Sequence, residues 1–179
     1  MSYATHPPHS ASHKRFIKVL SWYEAHMNEE RYTAPESRKE LIKSGTFLNC
    51  YCPHCKHSLN SGEEVVFIVV NAKGERGELK LSPYLNVFKK ESTIYLKKGE
   101  QTKDLICPHC QTSLVVPMED SKEKKEDKCH DCDVPAARIL VAAVSRIVSF
   151  YICLRVNCHW HGLTEKDETS INLDESKEW

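Results

Sequence analysis

The eight residues "CPHCKHSL" (52–59) return almost unchanged as "CPHCQTSL" (107–114). A Cys-x-x-Cys loop supplies two sulfur ligands from one tight turn, whereas a tetrahedral metal ion needs four ligands that converge on one point. Neither loop, called a hook below, can therefore complete a metal site alone. The duplication predicts a fold built around a point where the two hooks meet.

Four cysteine doublets follow one another along the chain, and they divide into two predicted metal sites. Between the hooks, β-branched stretches such as "EVVFIVV" (64–70) predict strands whose ends can return to the same place. The later doublets are "CHDC" (129–132) and "CLRVNC" (153–158), the second with a longer loop. The predicted metal ligands are Cys52, Cys55, Cys107 and Cys110 in one set, and Cys129, Cys132, Cys153 and Cys158 in the other.

Two pairings of the doublets are open at this stage. Sequential pairing gives two separate units and is favoured, because the charged run "PMEDSKEKKEDK" (117–128) separates the sets. Cross-braced pairing would give one interleaved unit. The ninth cysteine, Cys50, is interpreted as a half-buried strand residue, with a ligand substitute or a redox thiol as the alternatives.

Both hooks resemble the Cys-Pro-x-Cys knuckles of zinc-ribbon and rubredoxin-like proteins, and "YICLRVNCHWHGL" (151–163) resembles the closing knuckle of another ribbon. The resemblance covers about residues 50–162. It implies short β-sheets held by structural zinc, two ions here, and often a docking role in a larger assembly. The chain departs from that pattern at Lys56 and Gln111, which stand where glycine is usual.

Composition and cysteine content indicate the cellular compartment. Hydrophobic residues make up 40% of the 179 residues and charged residues 28%, which is ordinary for a globular protein. No stretch has the apolar core of a signal peptide or the roughly 18 apolar residues of a membrane span. Nine cysteines without an export signal predict metal ligation in the cytoplasm, not a disulfide framework.

The fold class predicted from these patterns is α+β, with N-terminal helices followed by two small antiparallel zinc-ribbon-like units. An amphipathic stripe predicts the first helix, and this helix either packs on the rest of the protein or docks a protein partner. A capping box from Thr33 to Glu36 predicts a second helix that includes Leu41 and Ile42 and ends near Gly45. The stripe residues are Phe16, Val19, Leu20, Tyr23 and Met27. The predicted segments are a disordered N-terminus (1–11), a helical segment (12–46), a first ribbon domain (47–116), a charged linker (117–128), a second ribbon domain (129–164) and an acidic tail (165–179).

No catalytic residue is predicted. The "CPHC" hook also resembles the dithiol of thioredoxin-like oxidases, but that chemistry needs a helix after the cysteines, and "KHSLNSGEE" (56–64) reads as a turn. A complete four-cysteine shell leaves no open coordination position for catalysis. The sequence therefore favours a noncatalytic zinc-binding interaction module, an accessory or adaptor subunit of a larger assembly.

Two other functions remain as alternatives. Basic and aromatic residues on one predicted hairpin could contact nucleic acid, or the lysines could guard a solvated hairpin edge against aggregation. Two metal-bound cysteine sets would leave the protein at roughly minus four, which does not favour nucleic-acid binding. Sulfur ligands alone do not distinguish zinc from iron, so an iron or iron–sulfur electron-transfer protein is also possible. The candidate nucleic-acid contacts are Lys89, Lys90, Tyr95, Lys97 and Lys98.

Overall fold

The computed structural model describes residues 39–117, 128–143 and 145–174, and these residues form an almost entirely β fold. They are 46% strand and 3% helix, so the prediction of an α+β fold is wrong. The strands are β1 (Glu40–Ile42), β2 (Asn49–Tyr51), β3 (Asn60–Ser61), β4 (Glu64–Val70), β5 (Arg76–Leu81), β6 (Lys90–Ser92), β7 (Asp104–Ile106), β8 (Ala136–Ala143), β9 (Arg146–Cys153), β10 (His161–Leu163) and β11 (Ile171–Leu173), and the helix is α1 (Glu165–Glu168).

The helix predicted to end near Gly45 is contradicted where the structure describes it. Leu41 and Ile42 lie in β1, which pairs in parallel with β11. Ile42 is buried in the core, and the partner strand provides the hydrogen bonds that a helix would have made internally. The first predicted helix and its partner-docking stripe lie outside the described residues.

Two sheets, each built on one long hairpin, make up most of the fold. In the first sheet the strand order is β3–β4–β5–β6, with β7 also paired to β4. In the second sheet the order is β10–β9–β8–β2. Alternate residues of β4 are buried, as expected for a strand with one face on a core. The apolar stretch 136–152 forms the β8–β9 hairpin.

The two halves of the chain exchange strands, so they are not the two separate units that the predicted fold class contains. β2 precedes the first hook but pairs with β8, placing Tyr51 opposite Leu140. β7 precedes the second hook and pairs with β4, placing Ile106 opposite Ile68. One hydrophobic core contains buried residues from both sheets, because neither hairpin can cover its apolar face alone.

The repetition seen in the hooks extends through the backbone of both halves. Two pairs of equivalent hydrogen bonds tie the segment before each hook to the loop after β5 or β9, and a third pair closes each of these loops on itself. They are Gly45 N to Leu85 O (2.8 Å) and Gly99 N to Val156 O (2.9 Å), Leu48 N to Pro83 O (2.8 Å) and Thr102 N to Leu154 O (3.0 Å), and Ser82 N to Lys89 O (3.0 Å) and Cys153 N to Trp160 O (3.4 Å). The fold is therefore an internal duplication with reciprocal strand exchange.

The segment after β10 continues the fold. Thr164 caps α1 by accepting a hydrogen bond from the Asp167 N–H, and β11 places Ile171 in the core. The segment predicted as an acidic tail thus contributes a helix and a strand up to Leu173. Among the described residues, no helix has the length and apolarity required to span a bilayer.

Candidate metal centres

Each hook is a tight turn at the end of a short strand. The Cys52 N–H donates to His57 O (3.0 Å), and the Lys56 N–H donates to Cys52 O (3.1 Å). Lys56 has a φ of 63°, in the left-handed region that favours glycine. The second hook repeats this geometry, with Cys107 N to Thr112 O at 3.0 Å, Gln111 N to Cys107 O at 3.0 Å and a φ of 58° at Gln111. Lys56 and Gln111 therefore adopt the left-handed conformation that glycine usually provides at this point of a knuckle.

The two hooks bring four sulfur atoms to one point. All four lie within 4.8 Å of one another. Between the hooks, the Sγ atoms of Cys52 and Cys110 are 3.7 Å apart, and those of Cys55 and Cys107 are 3.8 Å apart. A regular tetrahedron with metal–sulfur bonds of about 2.3 Å has sulfur–sulfur edges of about 3.8 Å. The residues therefore fit one tetrahedral ion, and we call this cluster site 1.

Histidines beside site 1 join the hooks to each other. The Nε2 of His54 lies 3.1 Å from Ser113 O, and the Nε2 of His109 lies 3.1 Å from Ser58 O. Because a carbonyl oxygen only accepts, each Nε2 carries the proton and donates it. The His57 ring stacks on that of His109 at 5.1 Å. These side chains connect the two hooks and are not needed as metal ligands.

The third and fourth doublets form a second cluster, site 2. Its four sulfurs also lie within 4.8 Å of one another, with Cys129–Cys158 at 3.7 Å and Cys132–Cys158 at 3.5 Å. The third doublet is a knuckle like the hooks, since Asp133 has a φ of 53°. In the fourth, the Cys158 N–H donates to Arg155 O (3.0 Å). The structure thus groups the doublets in sequential order.

Site 2 has no counterpart among the described residues of the first half of the chain. By the matching hydrogen bonds, the loop that supplies Cys153 and Cys158 corresponds to the loop that carries Ser82 and Val87. The third doublet lies between the second hook and β8, where the first half has only a short turn at Gly62. The duplication therefore provides one shared site and one site confined to the second half.

Burial opposes free thiolates at both sites. It raises the pKa of Cys107 to about 12 and that of Cys129 to about 11, and it also raises the pKa of Cys153. Hydrogen bonds from the hydroxyl and N–H of Thr112 lower the pKa of Cys110 to about 6. A divalent cation would compensate the buried negative charge and displace the remaining protons.

Backbone N–H groups support the thiolates. The His54 N–H donates to Cys52 Sγ (3.3 Å), and the Arg155 N–H donates to Cys153 Sγ (3.3 Å). Such hydrogen bonds orient metal ligands and stabilise their charge. With four sulfurs around each point, neither shell leaves a position for water or substrate. The arrangement suits a structural role.

Cys50 belongs to neither site. It is buried, its Sγ lies 3.6 Å from Leu48 O, and desolvation raises its pKa to about 12. A thiol of this kind is a poor nucleophile. The structure therefore gives it a packing role.

No family model, curated protein or solved structure matches the chain. The resemblance to zinc ribbons rests on the knuckle motifs and on the two cysteine clusters, which are positioned to hold metal ions. Function is therefore inferred from the sequence motifs and the geometry of the sites.

The candidate nucleic-acid contacts are exposed, and their lysines lie around one loop. Lys90 donates to the side chain of Asn157, and Lys98 precedes Gly99, whose N–H is bonded to Val156 O. Tyr95 is 73% exposed. Sequence reasoning missed Arg155 on this loop, because it stands apart from the lysine-rich segment along the chain.

Proposed function

We propose that the protein is a noncatalytic binding module, an accessory or adaptor subunit in a reducing compartment such as the cytoplasm, held together by two structural zinc ions. The observation that carries the proposal is the pair of closed four-sulfur clusters. Site 1 joins strands from both halves, so metal binding and folding are one process. A protein partner is proposed for the N-terminal stripe that begins at Phe16, on sequence grounds alone.

A single ion in each site is favoured over an iron–sulfur cluster. In a cluster the thiolates bind different iron atoms, which separates them more widely than one ion does. Here all four sulfurs of each site lie within 4.8 Å. Closed tetrahedral four-cysteine shells are typical of structural zinc. Mononuclear iron has similar geometry and is distinguished by its colour.

Metal content tests the proposal directly. We expect elemental mass spectrometry of untagged, anaerobically purified protein to give two zinc ions per chain and a colourless sample. Cys132→Ser should lower the content to one ion, because it opens site 2 alone. The matched control, Cys50→Ser, should keep both. Iron with visible absorption, or loss of metal in the control, would contradict the proposal.

A second candidate function is nucleic-acid binding, favoured by the position of four exposed lysines around residues 155–157. One of these lysines is already neutralised in part, since Lys89 pairs with Glu91 at 3.4 Å. The test is binding of a single-stranded oligonucleotide across a salt series, with Lys97→Gln/Lys98→Gln as the variant. A steep loss of affinity with salt, reduced in the variant, supports this function. No binding at low salt ends it.

A further inference from the structure

A cavity of about 200 Å³ lies between two equivalent loops, one from each half of the chain. The loop at 82–90 forms one wall and the loop at 153–161 forms the other. Phe88 and His159, which occupy equivalent positions, both line the cavity, and their rings stack at 4.0 Å. The duplication thus creates a recess to which both halves contribute.

The interior of the cavity is apolar. Leu79 and Leu81 from β5 line it beside Phe150 and Ile152 from β9, and the Trp160 ring packs against Gly162 next to them. An apolar cavity of about 150 Å³ is large enough to hold benzene. A volume of about 200 Å³ therefore suits one ring with a short substituent.

Apart from the metal-binding thiolates of Cys153 and Cys158, whose charge a bound cation would offset in part, the charged side chains at the cavity are all basic. Among the residues that the structure describes, they are Lys89, Lys90 and Arg155, with no aspartate or glutamate. Lys89 forms an ion pair with Glu91, whereas Lys90 and Arg155 form no ion pair within the described chain. Partial burial lowers the pKa of Lys90, as expected for an ammonium group beside apolar surface. A negatively charged group on a ligand would complement this rim.

Both walls are held in place without a ligand. Cys153 and Cys158 of site 2 belong to one wall, so the metal ion would fix that loop. On the other wall, the Asn86 side chain donates to Ser44 Oγ and to Asp174 O, each at 2.6 Å. A cavity with fixed walls loses little conformational entropy when it is filled.

We propose that this cavity binds a small carboxylic acid with a single ring, whose ring lies between Leu81 and Ile152 and whose carboxylate is held by Lys90 and Arg155. The inference rests on the proposed function in one respect, because site 2 must hold its metal for the second wall to form. The proposal assigns a class of ligand to the cavity, whereas the closed metal sites leave no position for one.

The test uses phenylacetate titrated into the full-length, zinc-loaded protein by calorimetry and by amide NMR. Phenylacetamide, which has the same shape without the charge, is the matched ligand. We expect phenylacetate to bind at least about tenfold more tightly than phenylacetamide, because hydrogen bonds from Lys90 and Arg155 to a carboxylate join two charged groups, whereas those to an amide do not. Acetate, which lacks the ring, should not bind detectably. Equal affinities for phenylacetate and phenylacetamide would overturn the proposal.

Variants locate the binding. Lys90→Met should weaken phenylacetate binding by about tenfold or more and leave phenylacetamide unchanged. Lys73→Met, a surface control outside the cavity, should change neither. Leu81→Phe should fill the cavity and abolish binding while both zinc ions remain. Binding that survives Leu81→Phe in a protein with two zinc ions overturns the proposal. If Leu81→Phe loses its zinc, the comparison of the two ligands on the wild-type protein decides.

Metal analysis separates this proposal from the function on which it rests. Two zinc ions without phenylacetate binding contradict the cavity proposal alone. Loss of phenylacetate binding in Cys158→Ser, with one zinc ion retained, is expected if site 2 holds the wall.

Discussion

At the scale of single residues, Lys56 and Gln111 show how a turn that favours glycine can be made without it. The side chain of each residue donates a hydrogen bond to a carbonyl of its own knuckle. Lys56 Nζ donates to Pro53 O at 2.5 Å, and Gln111 Nε2 donates to Pro108 O at 2.8 Å. These bonds offset part of the cost of the left-handed backbone, which is about 1–2 kcal/mol for a residue with a Cβ atom.

Lys56→Val should lower the free energy of unfolding by about 1–2 kcal/mol, because a β-branched side chain is least compatible with positive φ. Lys56→Gly should be neutral or slightly stabilising. Urea denaturation at fixed free zinc measures both. Glu91→Val, on the exposed extended strand β6, is the matched control and should cause little loss. Equal loss at Glu91 and Lys56 would show that the turn conformation is not responsible.

Cys50 should make stability decrease at alkaline pH. Its pKa is about 12 in the folded protein against 9.0 for the ordinary thiol, so the folded state holds the proton more tightly. The stability that the protonated Cys50 thiol contributes is fully present below pH 9 and declines as the pH rises toward 12. By pH 10 it should have lost about 1.4 kcal/mol.

This decline is measured against Cys50→Ala, which lacks the titrating group. The difference in unfolding free energy between wild type and Cys50→Ala should shrink between pH 7.5 and pH 10. The difference in unfolding free energy between wild type and Leu48→Ala should stay constant, because Leu48 is a buried neighbour of Cys50 that does not titrate. A constant difference for Cys50→Ala would rule out the raised pKa.

At the scale of elements, local signals predicted what depends on nearby residues. The knuckles and β4 could be read from cysteine spacing and a β-branched run, because both signals come from residues close together in the chain. β1 could not, since its partner β11 lies about 130 residues away and no local pattern indicates that pairing. Leu41 and Ile42 consequently resembled part of a helix.

The two metal sites should contribute unequally to stability. Site 1 takes its ligands from both hooks, which continue from β2 and β7, the strands that cross between the halves. Site 2 holds loops of the second half only. Cys110→Ser should therefore lower the melting temperature more than Cys132→Ser, with the loss of one metal ion in each. Melting curves and metal analysis measure both effects. A larger effect at Cys132 would reverse this order.

At the scale of the whole molecule, the sequence revealed the repeated hooks but not the duplication around them. Beyond Leu59 and Leu114 the copies diverge, because the second contains the inserted segment with Cys129 and Cys132. Cys153 and Cys158 correspond to Ser82 and Val87. The two loops therefore share a backbone geometry, but only the second carries metal-binding side chains. Strand exchange was also hidden, since each half carries a full hairpin pattern of its own.

The exchange predicts that the second half cannot fold alone. A chain of residues 128–174 keeps every ligand of site 2 but lacks β2, so the edge of β8 and the core face of the second sheet are uncovered. With zinc, we expect poorly dispersed amide NMR signals from this fragment. Addition of a 39–117 fragment should restore dispersion, because it supplies β2 and the rest of the core. Full dispersion from 128–174 alone would mean that this unit is self-sufficient and that the exchanged strand is dispensable.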